Sequence, residues 1–163
     1  MNALVLFVCT GNVCRSPMAA ALLRKALPAD SPWRAVSAGL SAFDGSPASE
    51  NAVKAASEVG CDLSAHRSKP LTDRLVRDSS VIITMTDEHM RQISARFPEA
   101  AGKLHLMLAF APEAAAPSQI TDPFCGSLED YRQCRDTMLK AMPGLTRFLL
   151  QTGTGDRKNL ERG

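Results

Sequence analysis

The sequence has no long apolar run. Nowhere in its 163 residues do about 18 apolar side chains follow one another, so no transmembrane helix is expected. The apolar start, Ala3 to Val8, has no basic segment before it and no small-residue cleavage site after it. It therefore reads as a first strand and not as a signal peptide. An excess of one charge is also missing. Lys and Arg number 19 against 17 Asp and Glu, a net charge of +2, which argues for neither a nucleic-acid nor a membrane partner. The five cysteines, Cys9, Cys14, Cys61, Cys125 and Cys134, are odd in number and lack a framework spacing. That pattern points to a reducing compartment, and the expected location is cytoplasmic. No second ligand pair matches Cys9 and Cys14 at a zinc-site spacing. No Gly-Lys-Ser/Thr follows the glycine of the first loop, which excludes the Walker type of phosphate loop.

What is present begins with Val8-Cys9-Thr10-Gly11-Asn12-Val13-Cys14-Arg15-Ser16-Pro17. Ala3 to Val8 is too short for a typical helix, and its branched and aromatic content suits a fully buried strand. Gly11 and Asn12 are residue types that accept positive φ. With them, Thr10 to Cys14 can curl into a nest of backbone N–H groups that binds a tetrahedral anion. Ser16 and Pro17 read as N-cap and first helical position, so the loop ends on a helix N-terminus that also favours anions. A helix N-terminus and a guanidinium favour the thiolate form of a cysteine, and Cys9 is expected to rest as one. Arg15 binds two phosphate oxygens through its planar fork, as lysine would not. The Ser16 hydroxyl is available to the Cys9 sulfur. The chemistry implied is hydrolysis of a phosphate monoester through a cysteinyl-phosphate.

The whole ten-residue string resembles the low-molecular-weight protein tyrosine phosphatase family. So do Ser37-Ala38-Gly39, the segment Asp62-Leu63-Ser64-Ala65-His66-Arg67-Ser68, and Asp122-Pro123-Phe124. The resemblance covers about residues 3 to 150. It implies that Cys9 is the nucleophile, Arg15 the phosphate clamp and Asp122 the general acid. It implies that Asn12, Ser37 and His66 form a network that fixes the loop, that Ser16 stabilises the thiolate, and that Phe43 and Phe124 line the substrate cleft. Many relatives carry tandem tyrosines where this chain has Phe124 and Cys125, so regulation by phosphorylating them is not expected. By itself, Asp122 before Pro123 is a common turn element. The expected partners are phosphorylated proteins, with inorganic phosphate as product, and no metal or cofactor is required.

Phosphotyrosine is the favoured substrate, because Val13 presents only methyl groups beside the cleft. Phosphoarginine on the same scaffold is the alternative, since Pro70-Leu71-Thr72 and the stretch from Asp122 to Ser127 resemble bacterial arginine phosphatases. Thiol-linked arsenate reduction needs further thiols before the acid loop, and no cysteine occurs from Asp62 to Phe124. A binding-only phosphate domain would have no use for both Cys9 and Asp122. Cys14, five residues after Cys9, is expected to guard it by forming a disulfide under oxidation.

Strand and helix signals alternate, which predicts an α/β fold, a single-domain open parallel sheet of about four strands with helices on both faces. The resemblance adds the flavodoxin-like order 2-1-3-4. Strands are expected at Ala3 to Val8, Trp33 to Ser37, Ser80 to Met85 and Leu104 to Leu108. Helices are expected at Pro17 to Leu27, from Pro47 to Gly60 with Ser46 as cap, Thr72 to Arg77, and Asp87 to Phe97. A last helix should open at Ser127, with Asp130 as its capping-box partner. Ala109 to Thr121 reads as a long loop. Pro143-Gly144 is expected to break the last helix, and residues 151–163 to form a frayed polar tail after a domain of residues 1–150.

Overall fold

A computed structural model of the chain describes residues 3–113 and 119–160, with side chains as far as residue 152. The sheet is built from β1 (Ala3–Cys9), β2 (Trp33–Gly39), β3 (Val81–Thr84) and β4 (Leu104–Leu106). All pairs are parallel and the order is β2-β1-β3-β4. The expected order is thus observed. β1 is central and covered on both faces, which is why its sequence is continuously apolar rather than alternating. Val5 and Phe7 face one core, with α1 (Arg15–Ala26), α2 (Glu50–Ser57) and α5 (Leu128–Leu160). Leu6 and Val8 face the other, with α3 (Asp73–Asp78) and α4 (Asp87–Arg96). No helix among the described residues is long and apolar enough to cross a membrane.

The helix caps differ from expectation at two places. Cys14, not Ser16, stands at the N-cap of α1, with no side-chain capping bond. Ser16 lies inside the first turn, where its hydroxyl has other partners. At α2 the cap is Ser49, whose side chain accepts from Ala52 N, while Ser46 lies upstream of the helix. Thr72, expected as the first residue of the third helix, is instead its N-cap, and its side chain accepts from Leu75 N. Ser127 and Asp130 cap α5 reciprocally: Ser127 N donates to Asp130 Oδ2 at 2.7 Å, and Asp130 N donates to Ser127 Oγ at 3.2 Å. The segment after β4 folds into a 3-10 turn over Met107–Phe110. Residues 114–118 of the expected long loop lie outside the described residues.

Pro143 does not break α5. The helix runs through it and continues to Leu160, so residues 151–160 are helical rather than an irregular tail. A proline inside a helix costs about 3 kcal/mol. Against that, Met138, Met142, Leu145 and Leu149 are all buried on one face, and full burial of each such side chain is worth about 1.5–3 kcal/mol. Tertiary packing outweighs the local preference. Gly144 has its own reason to be glycine. A Cβ there would stand 2.1 Å from the Phe110 carbonyl oxygen, so its absence lets the 3-10 turn dock on α5. Gly144→Ala, a good helix former placed in a helix, should nevertheless destabilise the protein by about 2 kcal/mol or more. Its urea midpoint is expected to fall, and an unchanged or raised midpoint would show that α5 and the turn are not in contact.

Candidate active site

The loop that follows β1 is held from outside by its carbonyls. Leu40 N donates to Cys9 O at 3.0 Å and Ser41 N to Thr10 O at 2.9 Å. His66 Nε2 lies 2.7 Å from Asn12 O, and Ser49 N donates to Val13 O at 2.9 Å. A planar trans peptide points its N–H opposite to its C=O. Each pinned carbonyl therefore turns the next amide, at Thr10, Gly11, Val13 and Cys14, away from the supporting segments and toward the cleft. Asn12 N donates to Cys9 Sγ itself at 3.3 Å. Close approach of β2 requires Gly39, where a Cβ would stand 2.6 Å from Thr10 O and 3.0 Å from Asn12 N.

Asn12 takes the left-handed conformation, with φ of 56°. Gly11 does not, so of the two residues expected to do so only Asn12 carries positive φ. Asn12 is wholly buried and fully paired. Its Nδ2 donates to Ser16 Oγ and Ser37 Oγ, each at 2.9 Å, and its Oδ1 accepts from Lys69 N at 3.0 Å. Ser16 Oγ accepts from Asn12, so its hydrogen is available to two acceptors, Cys9 Sγ at 3.0 Å and the Ala38 carbonyl at 3.5 Å, of which the sulfur is the nearer. Burial pushes His66 below the ordinary imidazole range. A carbonyl can only accept, so the neutral ring carries its hydrogen on Nε2 toward Asn12 O. Asn12, Ser16, Ser37 and His66 are thus brought together around Cys9.

Arg15 is 4% exposed although charged. Its guanidinium donates to Ile120 O at 3.1 Å and lies 3.4 Å from Asp122 Oδ2. Asp122 also accepts from Phe124 N at 3.1 Å. A cavity of about 340 Å³ opens above Cys9, lined by the loop, Arg15, Asp122, Val13 and the exposed rings of Phe43 and Phe124. Ser41 and Ser46 complete its wall. Cys125 is exposed at a positive-φ position and does not line the cavity. Cys61 and Cys134 are buried packing residues.

Three contributors were not read from the sequence as site residues. Cys14 Sγ lies 3.2 Å from Tyr131 Oη and 3.4 Å from Ser49 Oγ, and Ser49 Oγ donates to Tyr131 Oη at 3.2 Å. Burial pushes the Cys14 thiol up, and burial with the Cys14 contact pushes Tyr131 to about 12. The third is His89 on α4, whose Nε2 lies 3.0 Å from Thr10 Oγ1. Helical spacing places Tyr131 and His89 on inward faces, but nothing local distinguishes them from core.

The family model described as low molecular weight phosphotyrosine protein phosphatase matches residues 4–154. The chain belongs to this family. A protein-arginine-phosphatase of Geobacillus stearothermophilus is 42% identical over 135 residues, 82% of this chain and 87% of that protein. A probable low molecular weight protein-tyrosine-phosphatase, EpsP, of Ralstonia nicotianae is 42% identical over 138 residues, 85% of this chain and 90% of that one. Among solved structures, a YwlE arginine phosphatase mutant with a phosphorylated active-site serine superposes with a TM-score of 0.80. Its identity is 32%, over 90% of this chain and 95% of that one. The relatives are named as protein phosphatases, a class of hydrolases, and this chain is an enzyme of that class.

Burial, with Arg15 nearby, lowers His89 from 6.5 to about 4. Above pH 6.5 the ring is neutral folded and unfolded. Between 6.5 and about 4 only the unfolded chain takes up the proton, so stability is lost as pH falls through that window. Denaturant titrations at pH 7, 5.5 and 4.5 should show a smaller loss for His89→Asn than for wild type. Equal slopes would mean that the ring titrates alike in both states.

Proposed function

We propose that this enzyme hydrolyses phosphotyrosine in proteins through a cysteinyl-phosphate on Cys9. The observation that carries the reading is the Cys9 sulfur seated under a ring of inward amides, with Arg15 and Asp122 3.4 Å apart at its mouth. The sulfur attacks phosphorus as the bond to the leaving oxygen breaks, and Asp122 gives that oxygen its proton. Loop amides and the Arg15 fork hold the three equatorial oxygens as charge shifts onto them. Ser16 donates to the sulfur and makes it a better leaving group in the second step. Water then attacks phosphorus, Asp122 takes its proton, and inorganic phosphate and the free thiolate are released. These residues supply every charge and proton that the reaction needs. Under oxidation, Cys14 is assigned to trap a Cys9 sulfenic acid as a disulfide, releasing water. Free cysteines suit a reducing compartment, and the cytoplasm is the assigned location.

Two variants test the chemistry. Cys9→Ser should fold and bind phosphate but turn over no substrate, because an alkoxide leaves phosphorus far less readily than a thiolate and any phosphoserine formed would persist. Asp122→Asn should lose about 10²–10⁴-fold in kcat on phosphotyrosine peptides. The loss should shrink for aryl phosphates with acidic leaving groups, which need no proton. An equal loss across leaving groups would make Asp122 structural.

The second reading, protein arginine phosphatase, is favoured by the Geobacillus relative's name and coverage. The rim supports phosphotyrosine instead. Phe43 and Phe124 are 84% and 61% exposed beside Val13, an apolar frame for a phenyl ring. Guanidine N–H groups buried against valine methyls would go unpaired, at about 1–3 kcal/mol. Wild type is expected to have the higher kcat/KM on phosphotyrosine peptides, and Val13→Thr to shift the ratio toward phosphoarginine. A wild-type preference for phosphoarginine peptides would overturn the assignment.

A further inference from the structure

The mechanism above makes no use of His89. The ring is 4% exposed and reaches Thr10 Oγ1 through Nε2 at 3.0 Å. Its Nδ1 is buried and meets no hydrogen-bond partner among the described residues. The charged groups that act on it through space are Arg15, Asp122 and Glu88. Buried polar atoms without a partner are uncommon in native folds and call for a reason.

The orphan nitrogen decides the tautomer. A neutral imidazole carries one ring hydrogen. Placed on Nδ1, it would be a buried N–H with no acceptor, a rarer arrangement than an unused lone pair. The hydrogen is therefore assigned to Nε2, which donates to Thr10 Oγ1. That bond uses one lone pair of the hydroxyl and leaves the hydroxyl hydrogen unclaimed by the protein. Thr10 is an exposed residue that lines the cleft beside Cys9.

We propose that Thr10 supplies an O–H donor to the bound phosphoryl group, and that His89 is the positioning residue that turns this hydroxyl toward the cleft. The inference rests on the phosphatase reading above. A phosphate monoester suits it, because its non-bridging oxygens are acceptors only. A neutral ring also adds no second cation to compete with Arg15 for the phosphate or for Asp122.

The test uses the full chain, inorganic phosphate as competitive inhibitor and para-nitrophenyl phosphate as substrate. Loss of a hydrogen bond to a charged group predicts phosphate binding about 10-fold weaker in Thr10→Val. Thr10→Ser, which keeps the hydroxyl, should recover much of that loss. His89→Leu should weaken binding similarly, and His89→Gln, whose amide N–H replaces Nε2, should recover part. Because both residues act through one hydrogen, Thr10→Val with His89→Leu should be no worse than Thr10→Val alone. Ring nitrogen shifts in wild-type NMR spectra should show Nε2 protonated and Nδ1 bare. A hydrogen on Nδ1, additive losses in the double variant, or normal phosphate binding by Thr10→Val would each overturn the proposal. Should His89→Leu not fold, the Thr10 pair and the wild-type spectrum decide. Failure of the phosphatase reading looks different, since wild type itself would then neither bind phosphate nor cleave the ester.

Discussion

The loop after β1 functions only if its carbonyls face outward. A phosphoryl group is ringed by acceptors, and one carbonyl turned inward would replace attraction with repulsion. Most of the surrounding structure meets that requirement. The β2 exit holds Cys9 and Thr10, His66 holds Asn12, and the start of α2 holds Val13. Asn12 closes the arrangement from inside, with the left-handed φ that lets the chain reverse and a fully paired side chain. Because each support comes from a different element, the loop is shaped before substrate arrives. Preorganised dipoles of this kind need no rearrangement as charge develops.

The cleft divides into a rigid floor and an exposed rim. Cys9, Asn12, Arg15 and Ser16 are buried, and in the proposed mechanism this floor meets what all phosphate monoesters share. Phe43 and Phe124 stand out in solvent on connecting segments, where the proposed mechanism places what differs between substrates, the leaving group. One floor can thus serve proteins named for different substrates, while a few rim side chains set the choice. Asp122 lies between the zones. It is half exposed yet within reach of the buried Arg15, a placement that suits the acid role proposed for it.

α5 ties the floor to the rest of the molecule. Its Tyr131 hydroxyl meets Cys14 and Ser49, while Arg132 and Arg135 share Glu58 after α2, which holds that carboxyl at about 2. The helix must therefore stay in register along its length. That accounts for its passage through Pro143, where a break would release Leu145 and Leu149 from the core.

Much of this was legible in the sequence because it is local. A buried central strand has to be continuously apolar, so β1 declared itself. The anion loop has to follow at once, so Cys9 to Arg15 could be read as one string. Alternating signals gave the parallel class, and the Ser127–Asp130 pair marked its helix start by chemistry confined to a few residues. The misreadings arose where local chemistry had a distant competitor. Ser16 looked like a cap, but its hydroxyl is engaged by Asn12 and Cys9. Ser46 and Ser49 are equivalent as residue types, and the site of the α2 cap depends on how the chain leaves Val13. Pro143-Gly144 has the signature of a break, and only the buried face of α5 and the Phe110 carbonyl reverse it. Tyr131 and His89 gave no sign of a site role, because a hydroxyl or imidazole on an inward helix face is indistinguishable from core until its partner is known, and Ser49 could be read only as a cap. Short-range sterics and burial, all readable in the sequence, suffice for the first strand and for the loop that follows it. The tertiary structure alone decided which carbonyls are pinned, which hydrogens remain free and which helix survives its proline, because each depends on contacts between residues far apart in the chain.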